Sequence, residues 1–242
     1  MFSSGQPFFQ ESYVLVHHRE FFRQFRSQFE TTGAIAPSSR FLAKAITGPL
    51  LQKQREAGEK PLRVLEVGPG TGAFTRFIVR QLRPQDQFDL VEINENFANV
   101  LESSFETDPH WNAVSSQSQL HRSPLQDFEC DAPYDVIISG LPLNNFSPDL
   151  VASIFEQYWR LLKPTGSLSY FEYMYIRSAK KKLSVKAERE RLHRLDEIIA
   201  PFLKSQRFKR SWVFMNVPPA WVQHLTAPAE ILAPSPTQET ES

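Results

Sequence analysis

Glu66, Gly68, Gly70 and Gly72 stand in the run Glu-Val-Gly-Pro-Gly-Thr-Gly-Ala-Phe, residues 66–74. Three alternating glycines let the backbone come close to a ligand, and a strand end followed by a helix is where a doubly wound sheet holds one. The same run satisfies the loose dinucleotide pattern if Ala73 counts as the third small residue, which brings nicotinamide and flavin enzymes into view. Glu66 argues against them, because a carboxylate beside the loop repels a pyrophosphate. It suits a ligand that carries an ammonium and a sulfonium and no phosphate, and S-adenosylmethionine is such a ligand. Glu92 follows Gly72 by twenty positions, where an acidic side chain accepts hydrogen bonds from both hydroxyls of a ribose.

These residues need a strand-loop-helix frame, and the pattern of the chain supplies one. Short apolar runs alternate with longer helical stretches, which predicts an α/β domain with a mostly parallel, doubly wound sheet and helices on both faces. Strands are expected at Leu62 to Val67, Gln87 to Ile93, Gln119 to Arg122, Tyr134 to Ser139 and Ser167 to Met174. Helices are expected at Ala73 to Leu82, Phe97 to Phe105 and Asp149 to Leu162, the last ending ahead of Pro164 and Gly166. A charged helix from Ser184 to Ala200 should stop at Pro201, and Arg207 to Val217 adds strand before Pro218 and Pro219 break it.

Composition narrows the class further. The 242 residues carry 27 Lys plus Arg against 27 Asp plus Glu, so a globally basic nucleic-acid binder is excluded. With 41% hydrophobic residues the chain has apolar surface enough for a core. The single cysteine, Cys130, permits no intrachain disulfide and no cysteine cluster for a metal, which suits a reducing, cytoplasmic setting. No apolar run is long enough to cross a bilayer, and the N-terminus lacks the pattern of a secretion signal.

Four stretches in order, Thr32 to Ala43 (TGAIAPSSRFLA), Glu66 to Arg76 (EVGPGTGAFTR), Ser139 to Leu143 (SGLPL) and Asn216 to Val222 (NVPPAWV), carry a resemblance. With them the chain resembles the class I methyltransferases, and within these the bacterial phospholipid N-methyltransferases that act on phosphatidylethanolamine; the ornithine-lipid N-methyltransferases look similar. The resemblance implies a Rossmann-like fold, S-adenosylmethionine as cofactor with S-adenosylhomocysteine as product, no metal, and a membrane lipid as substrate. It implies that Glu66, Gly68, Gly70 and Gly72 hold the methionine end of the donor, that Glu92 holds the ribose, and that Pro37 and Ser38 cover it. The family places an acidic residue after the third strand for the adenine amino group; this chain has Arg122, Ser123, Pro124 and Leu125 there. Ser123 accepts one hydrogen bond, and Asp127 follows a turn later. Ser139, Leu141 and Pro142 would line the acceptor, with Ser139 also touching the donor and backbone carbonyls orienting an amine. Tyr173 is the expected ring contact from a group that also includes Tyr170, Phe171, Tyr175 and Trp212.

A lipid enzyme without a membrane span needs a surface for the bilayer, which predicts peripheral attachment at the inner face of the cytoplasmic membrane. On a helical wheel Val14, Leu15, Phe21, Phe22, Phe25 and Phe29 share one side, with Arg19, Arg23 and Arg26 beside and beyond it; the stripe suits an interfacial helix or one packed on the domain. Between Arg177 and Arg210 twelve basic residues face four acidic ones, a patch for anionic headgroups, although a solvated face or an RNA backbone fits it too. The domain plan is thus a membrane-contacting, donor-covering segment at 1–45, a methyltransferase domain at 46–225 and a loose tail at 226–242, in a monomer. The rival is a ribosomal-RNA adenine N6-dimethyltransferase. That family has an Asn or Asp before its Leu-Pro and an aromatic after it, whereas Ser139, Gly140 and Leu143 occupy those places here; Phe146 would have to stack from a shifted loop, so no nucleic-acid partner is expected.

Overall fold

The computed structural model describes residues 40–174 and 186–228. Helices α1 (Arg40–Ile46) and α2 (Gly48–Ala57) precede strand β1 (Arg63–Val67). The short α3 (Thr75–Ile78), β2 (Gln87–Val91), α4 (Glu95–Thr107), α5 (Pro109–Asn112), β3 (Ser118–His121) and β4 (Tyr134–Ser139) follow. Then come α6 (Pro148–Leu161), β5 (Leu162–Tyr173), α7 (Lys186–Ser205), β6 (Arg207–Val213) and β7 (Ala220–Thr226). The seven strands form one sheet in the order β3-β2-β1-β4-β5-β7-β6. β1 to β5 are parallel, and β7 runs antiparallel to both β5 and β6.

The central strands are apolar because both of their faces are covered: β1 and β4 are almost wholly buried. On one face Leu42, Ile46, Leu50, Phe74, Ile78 and Trp111 pack over Val64, Val136 and Phe171. On the other, Phe155 of α6 meets Tyr170 of β5 edge to face at 5.7 Å and stacks on Phe202 of α7 at 5.2 Å. Local chemistry sets the helix starts. Asn94 caps α4 by accepting from the Phe97 N–H, and Ser147 caps α6 just ahead of Pro148, whose missing N–H costs nothing in the first turn.

α3 is helical only over Thr75–Ile78, where the pattern predicts Ala73 to Leu82, β6 ends at Val213 rather than Val217, and three further elements are reshaped by packing. α7 runs through Pro201 to Ser205, because Leu192, Leu195 and Ile199 bury one stripe and Phe202 anchors the turn after the proline. β5 begins at Leu162; Tyr134 pairs with Leu162 and Val136 with Ser167, so Pro164 and Gly166 lie in an irregularity where the missing N–H of proline is tolerated. Pro218 and Pro219 turn the chain into a further strand, β7, which pairs along its whole length with β5.

Candidate active site

β1 ends at Val67, and the backbone turns at Gly68, Gly70 and Gly72 with φ of +67°, +61° and +81°, a left-handed region that side chains adopt at a cost. Two of these glycines also lie close against neighbouring side chains. A Cβ on Gly68 would lie 2.5 Å from Leu141 Cδ2, and one on Gly72 would lie 2.5 Å from Trp111. The loop after β4 is set tightly against this turn: Gly140 donates its N–H to Val67 O at 2.8 Å, and a Cβ on Gly140 would meet the Gly68 carbonyl oxygen at 2.5 Å. The glycine loop and the Ser139–Leu143 segment are therefore one surface, built backbone to backbone.

Glu66 is fully buried beneath that surface. Its Oε2 accepts from the Thr75 hydroxyl at 2.7 Å, and among the described residues its Oε1 has no hydrogen-bond partner. Burial, with a smaller push from the nearby charge of Glu92, drives its pKa up to about 8. The carboxylate expected from the sequence is thus an acid at neutral pH until a cation joins it. Glu92, also buried, is held in place by the N–H groups of Gly70 (3.0 Å, to Oε2) and Asn94 (2.8 Å, to Oε1). A buried acid with an unmet oxygen beneath a bare backbone turn fits a donor that carries an ammonium. Glu92, each of whose oxygens already accepts one backbone N–H, would accept the donor's hydroxyls through its remaining lone pairs.

Ser139 is buried at the end of β4, where its Oγ accepts from the Tyr158 hydroxyl at 2.6 Å and from the Leu141 N–H at 3.2 Å. Leu141 and Pro142 are half-buried beside it. Arg191 of α7 holds the next turn, donating to Phe146 O (2.6 Å) and Asn144 O (3.1 Å) while Glu188 pairs with the guanidinium at 2.8 Å. Tyr173 lies half-buried at the end of β5, its ring edge-on to Phe171 at 5.3 Å, and burial raises its hydroxyl pKa. Ser123 is half-buried just past β3, while Arg122 turns to Glu95 and Glu102 of α4.

The structure gathers Glu66, Gly68, Gly70, Gly72, Glu92, Ser139, Leu141 and Pro142 at the C-terminal ends of β1, β2 and β4. Pro37, Ser38 and Tyr175 lie outside the described residues, as do the Val14 to Phe29 stripe and the Lys180 to Lys182 run. The remaining rings do not form one enclosure: Tyr170 is buried against Phe155 on the opposite face from Phe171, and Trp212 is on edge strand β6. Phe146 is also core, 1% exposed, so it offers no face to a base. Thr75, Tyr158 and Arg191 were not anticipated; each acts through a tertiary hydrogen bond that no spacing announces. A second polar cluster lies toward the other end of the sheet, where no long helix follows β3. There a cavity of about 450 Å³ opens beside Asp89, which accepts from Tyr134 at 2.8 Å and bonds His121 at 2.7 Å. Among the described residues no cluster suited to a metal ion is present.

A family model described as a methyltransferase domain matches residues 64–166, the stretch from β1 into β5. The chain is 25% identical over 136 residues to an ornithine lipid N-methyltransferase of Singulisphaera acidiphila, covering 56% of this chain and 67% of that protein. It is 32% identical over 127 residues to a highly reducing polyketide synthase of Strobilurus tenacellus, a match that spans 51% of this chain and 4% of that much longer protein. The fold is similar to that of an O-methyltransferase from Bacillus cereus solved with S-adenosylhomocysteine, with a TM-score of 0.59, 16% identity, and coverage of 86% of this chain and 90% of that one.

Proposed function

The chain carries a class I methyltransferase domain whose cofactor is S-adenosylmethionine, and from that premise we propose that it methylates the amine of a membrane lipid headgroup, phosphatidylethanolamine or an ornithine lipid. The cofactor supplies a methyl group on a sulfonium, already a strong electrophile. What the protein adds is position. Glu66 with the 68–72 turn would hold the methionine end, Glu92 the ribose and Ser123 the adenine amino group.

The observation that carries this reading is the acceptor loop. Ser139 to Phe146 reads Ser-Gly-Leu-Pro-Leu-Asn-Asn-Phe, with no ionisable side chain, and it lies on the donor turn through Gly140. Ser139 is engaged by Tyr158, the carbonyls of Leu141, Pro142 and Leu143 accept N–H groups within the loop, and those of Asn144 and Phe146 accept from Arg191. The loop therefore turns the uncharged flanks of Leu141 and Pro142 toward the donor turn, a lining compatible with a neutral amine. An amine needs no covalent nucleophile; it attacks as the neutral base and sheds its proton to water afterwards or beforehand. The likeness to an ornithine lipid N-methyltransferase supports the same class of acceptor. Base recognition is poorly supplied, since Leu143 and Phe146 are both buried. Attachment to the inner face of the cytoplasmic membrane belongs to this proposal; among the described residues no helix is long and apolar enough to cross a membrane.

The test is incubation with labelled S-adenosylmethionine and liposomes of separate lipid classes, with the product identified by chromatography. Label is expected in an amine-bearing lipid and not in undermethylated ribosomal RNA. Label in adenine alone would overturn the acceptor while leaving the donor site standing.

A further inference from the structure

The largest exposed apolar side chains of the described residues gather at one place, the turn between β6 and β7. Phe214 is 64% exposed, Met215 69% and Val217 78%, with Trp212 at 53% on the strand below. The turn is braced: Asn216 is buried and donates to Pro218 O at 2.7 Å, and two prolines follow. Trp212 stacks on Phe214 at 5.8 Å and meets Trp221 edge-on at 5.7 Å. Burial in the domain cannot explain these side chains, because they project from it.

Strand register fixes where this tip points. Tyr173, the last residue of β5, pairs with Ala220, which pairs with Val213, and Met174 donates to Pro219 O at 2.7 Å. β5 is parallel to β4, with Ser139 opposite Tyr170. The tip therefore lies at the same end of the sheet as the glycine loop and the acceptor loop. Below it the charge is one-signed: Arg207 to Thr226 contains Arg207, Lys209 and Arg210 and no acidic residue, and the Arg210 guanidinium lies over the Trp221 ring at 5.4 Å.

We propose that the β6–β7 hairpin is a membrane-insertion wedge: Phe214, Met215 and Val217 enter the acyl region of an anionic bilayer, Trp212 and Trp221 lie at the headgroup level, Arg210 meets the phosphates, and Lys209 and Arg207 farther along β6 add attraction to the anionic surface. The order of side chains along the hairpin, apolar tip, tryptophans, then cations, is the order of a bilayer from its interior outward. A protein partner needs an apolar patch too, but it gives no reason for that sequence of layers. The wedge rests on the lipid reading of the acceptor site, since it sets a headgroup before the donor.

The experiment uses the full chain with vesicles of phosphatidylglycerol and phosphatidylethanolamine, against phosphatidylcholine alone. Co-sedimentation with the anionic vesicles should fall by about tenfold or more in Phe214→Glu plus Met215→Glu, while Phe214→Leu plus Met215→Leu retains it. S-adenosylmethionine affinity and thermal unfolding should not change, as these side chains project into solvent. Brominated acyl chains should quench tryptophan fluorescence in the wild type and less so in Trp212→Phe. Unchanged sedimentation of the double glutamate variant, or no quenching, overturns the wedge even if lipid is methylated in detergent micelles. Wedge-dependent sedimentation with no methylated lipid overturns the acceptor assignment and leaves the wedge in place. A wild type that ignores vesicles but self-associates through these residues assigns the tip to a second copy and overturns the wedge.

Discussion

Two buried titratable side chains, one in each half of the sheet, show what separates a binding site from a packed core. Glu66 on β1 and His224 on β7 are both 0% exposed, and burial forces both toward the neutral form. Glu66 is pushed up to about 8 and His224 down to about 4, the latter helped by the charge of Lys209. Their partners differ. His224 has a serine on each ring nitrogen, Ser169 Oγ at 2.8 Å from Nδ1 and Ser211 Oγ at 3.3 Å from Nε2, as expected of a satisfied structural group. Glu66 has Thr75 on one oxygen and none of the described residues on the other. An unmet acceptor in a dry site is destabilising unless a ligand completes it, so Glu66 has the open valence that the proposed donor site requires, and His224 has none.

The strongest way to break that contrast is at Gly140, where donor and acceptor loops touch backbone to backbone. Gly140→Val places a branched carbon against the Gly68 carbonyl, which cannot rotate aside, so the two loops must separate. Activity should fall by about a hundredfold or more, roughly 2.7 kcal/mol, measured as kcat/KM alongside a thermal melt. Activity within about tenfold of wild type would mean that the contact of the loops does not align the reaction.

The pH dependence sharpens the comparison, since the two groups act with opposite sign. A depressed imidazole contributes stability that is full above 6.5 and lost as pH falls toward about 4; the loss should total about 2–3 kcal/mol. In the wild type the opposite contribution of Glu66 masks it, so chemical denaturation from pH 7 to 4 should show it in Glu66→Gln, and adding His224→Gln should remove most of that slope. The raised carboxyl of Glu66 contributes stability that is full below 4.5 and lost as pH rises toward about 8. Between 4.5 and 6.5 the two slopes cancel, and above 6.5 only that of Glu66 remains, which Glu66→Gln should flatten.

Glu66 also couples donor binding to a proton. Near pH 7 the acid must ionise to face an ammonium, so binding releases up to one proton. Affinity should rise from pH 6 to about 8, where the ammonium of the donor begins to lose its own charge. Calorimetry in buffers of different ionisation enthalpy should detect the release in the wild type and not in Glu66→Gln, whose affinity should be lower by about tenfold, or 1.4 kcal/mol. Equal affinity of that variant at pH 8 would show that the unmet oxygen does not face the donor.

The glycine-turn half of the sheet was legible in the sequence because its requirements fall on backbone: positive φ at Gly68, Gly70 and Gly72 restricts residue type, and β4 was marked by the short apolar run Val136 to Ile138 within Tyr134 to Ser139. The other half was less legible because tertiary packing overrode local signals there. Phe202 carries α7 past Pro201, Pro218 and Pro219 turn a hairpin where they were read as an end, and β7 went unread. Counting basic residues drew attention to the 177–210 segment as a charged surface. Yet one of its members, Arg191, is occupied in holding the turn after the acceptor loop, and the exposed apolar tip beyond that segment carries no charge to count.

Arg191 supplies the smallest expected effect and the cleanest separation of the two halves. Its guanidinium ties α7 to the carbonyls of Asn144 and Phe146, but it does not touch Glu66, Glu92 or the glycine turn. Arg191→Met keeps much of the stem that packs on the helix and removes the two hydrogen bonds to the carbonyls together with the ion pair to Glu188. Because the turn is also held by the buried side chains of Leu143 and Phe146, it should loosen without unfolding. Two such bonds from a charged donor at a half-buried site are worth about 1–2 kcal/mol together, part of which will appear as a lower melting temperature. The remainder should lower kcat/KM for the lipid by about threefold to tenfold, with donor affinity unchanged, and Arg191→Lys should recover part of the loss by bonding one of the two carbonyls. A fall in donor affinity equal to the fall in kcat/KM would show that the 143–146 turn positions the donor as well, and would merge the two functions that the comparison keeps apart.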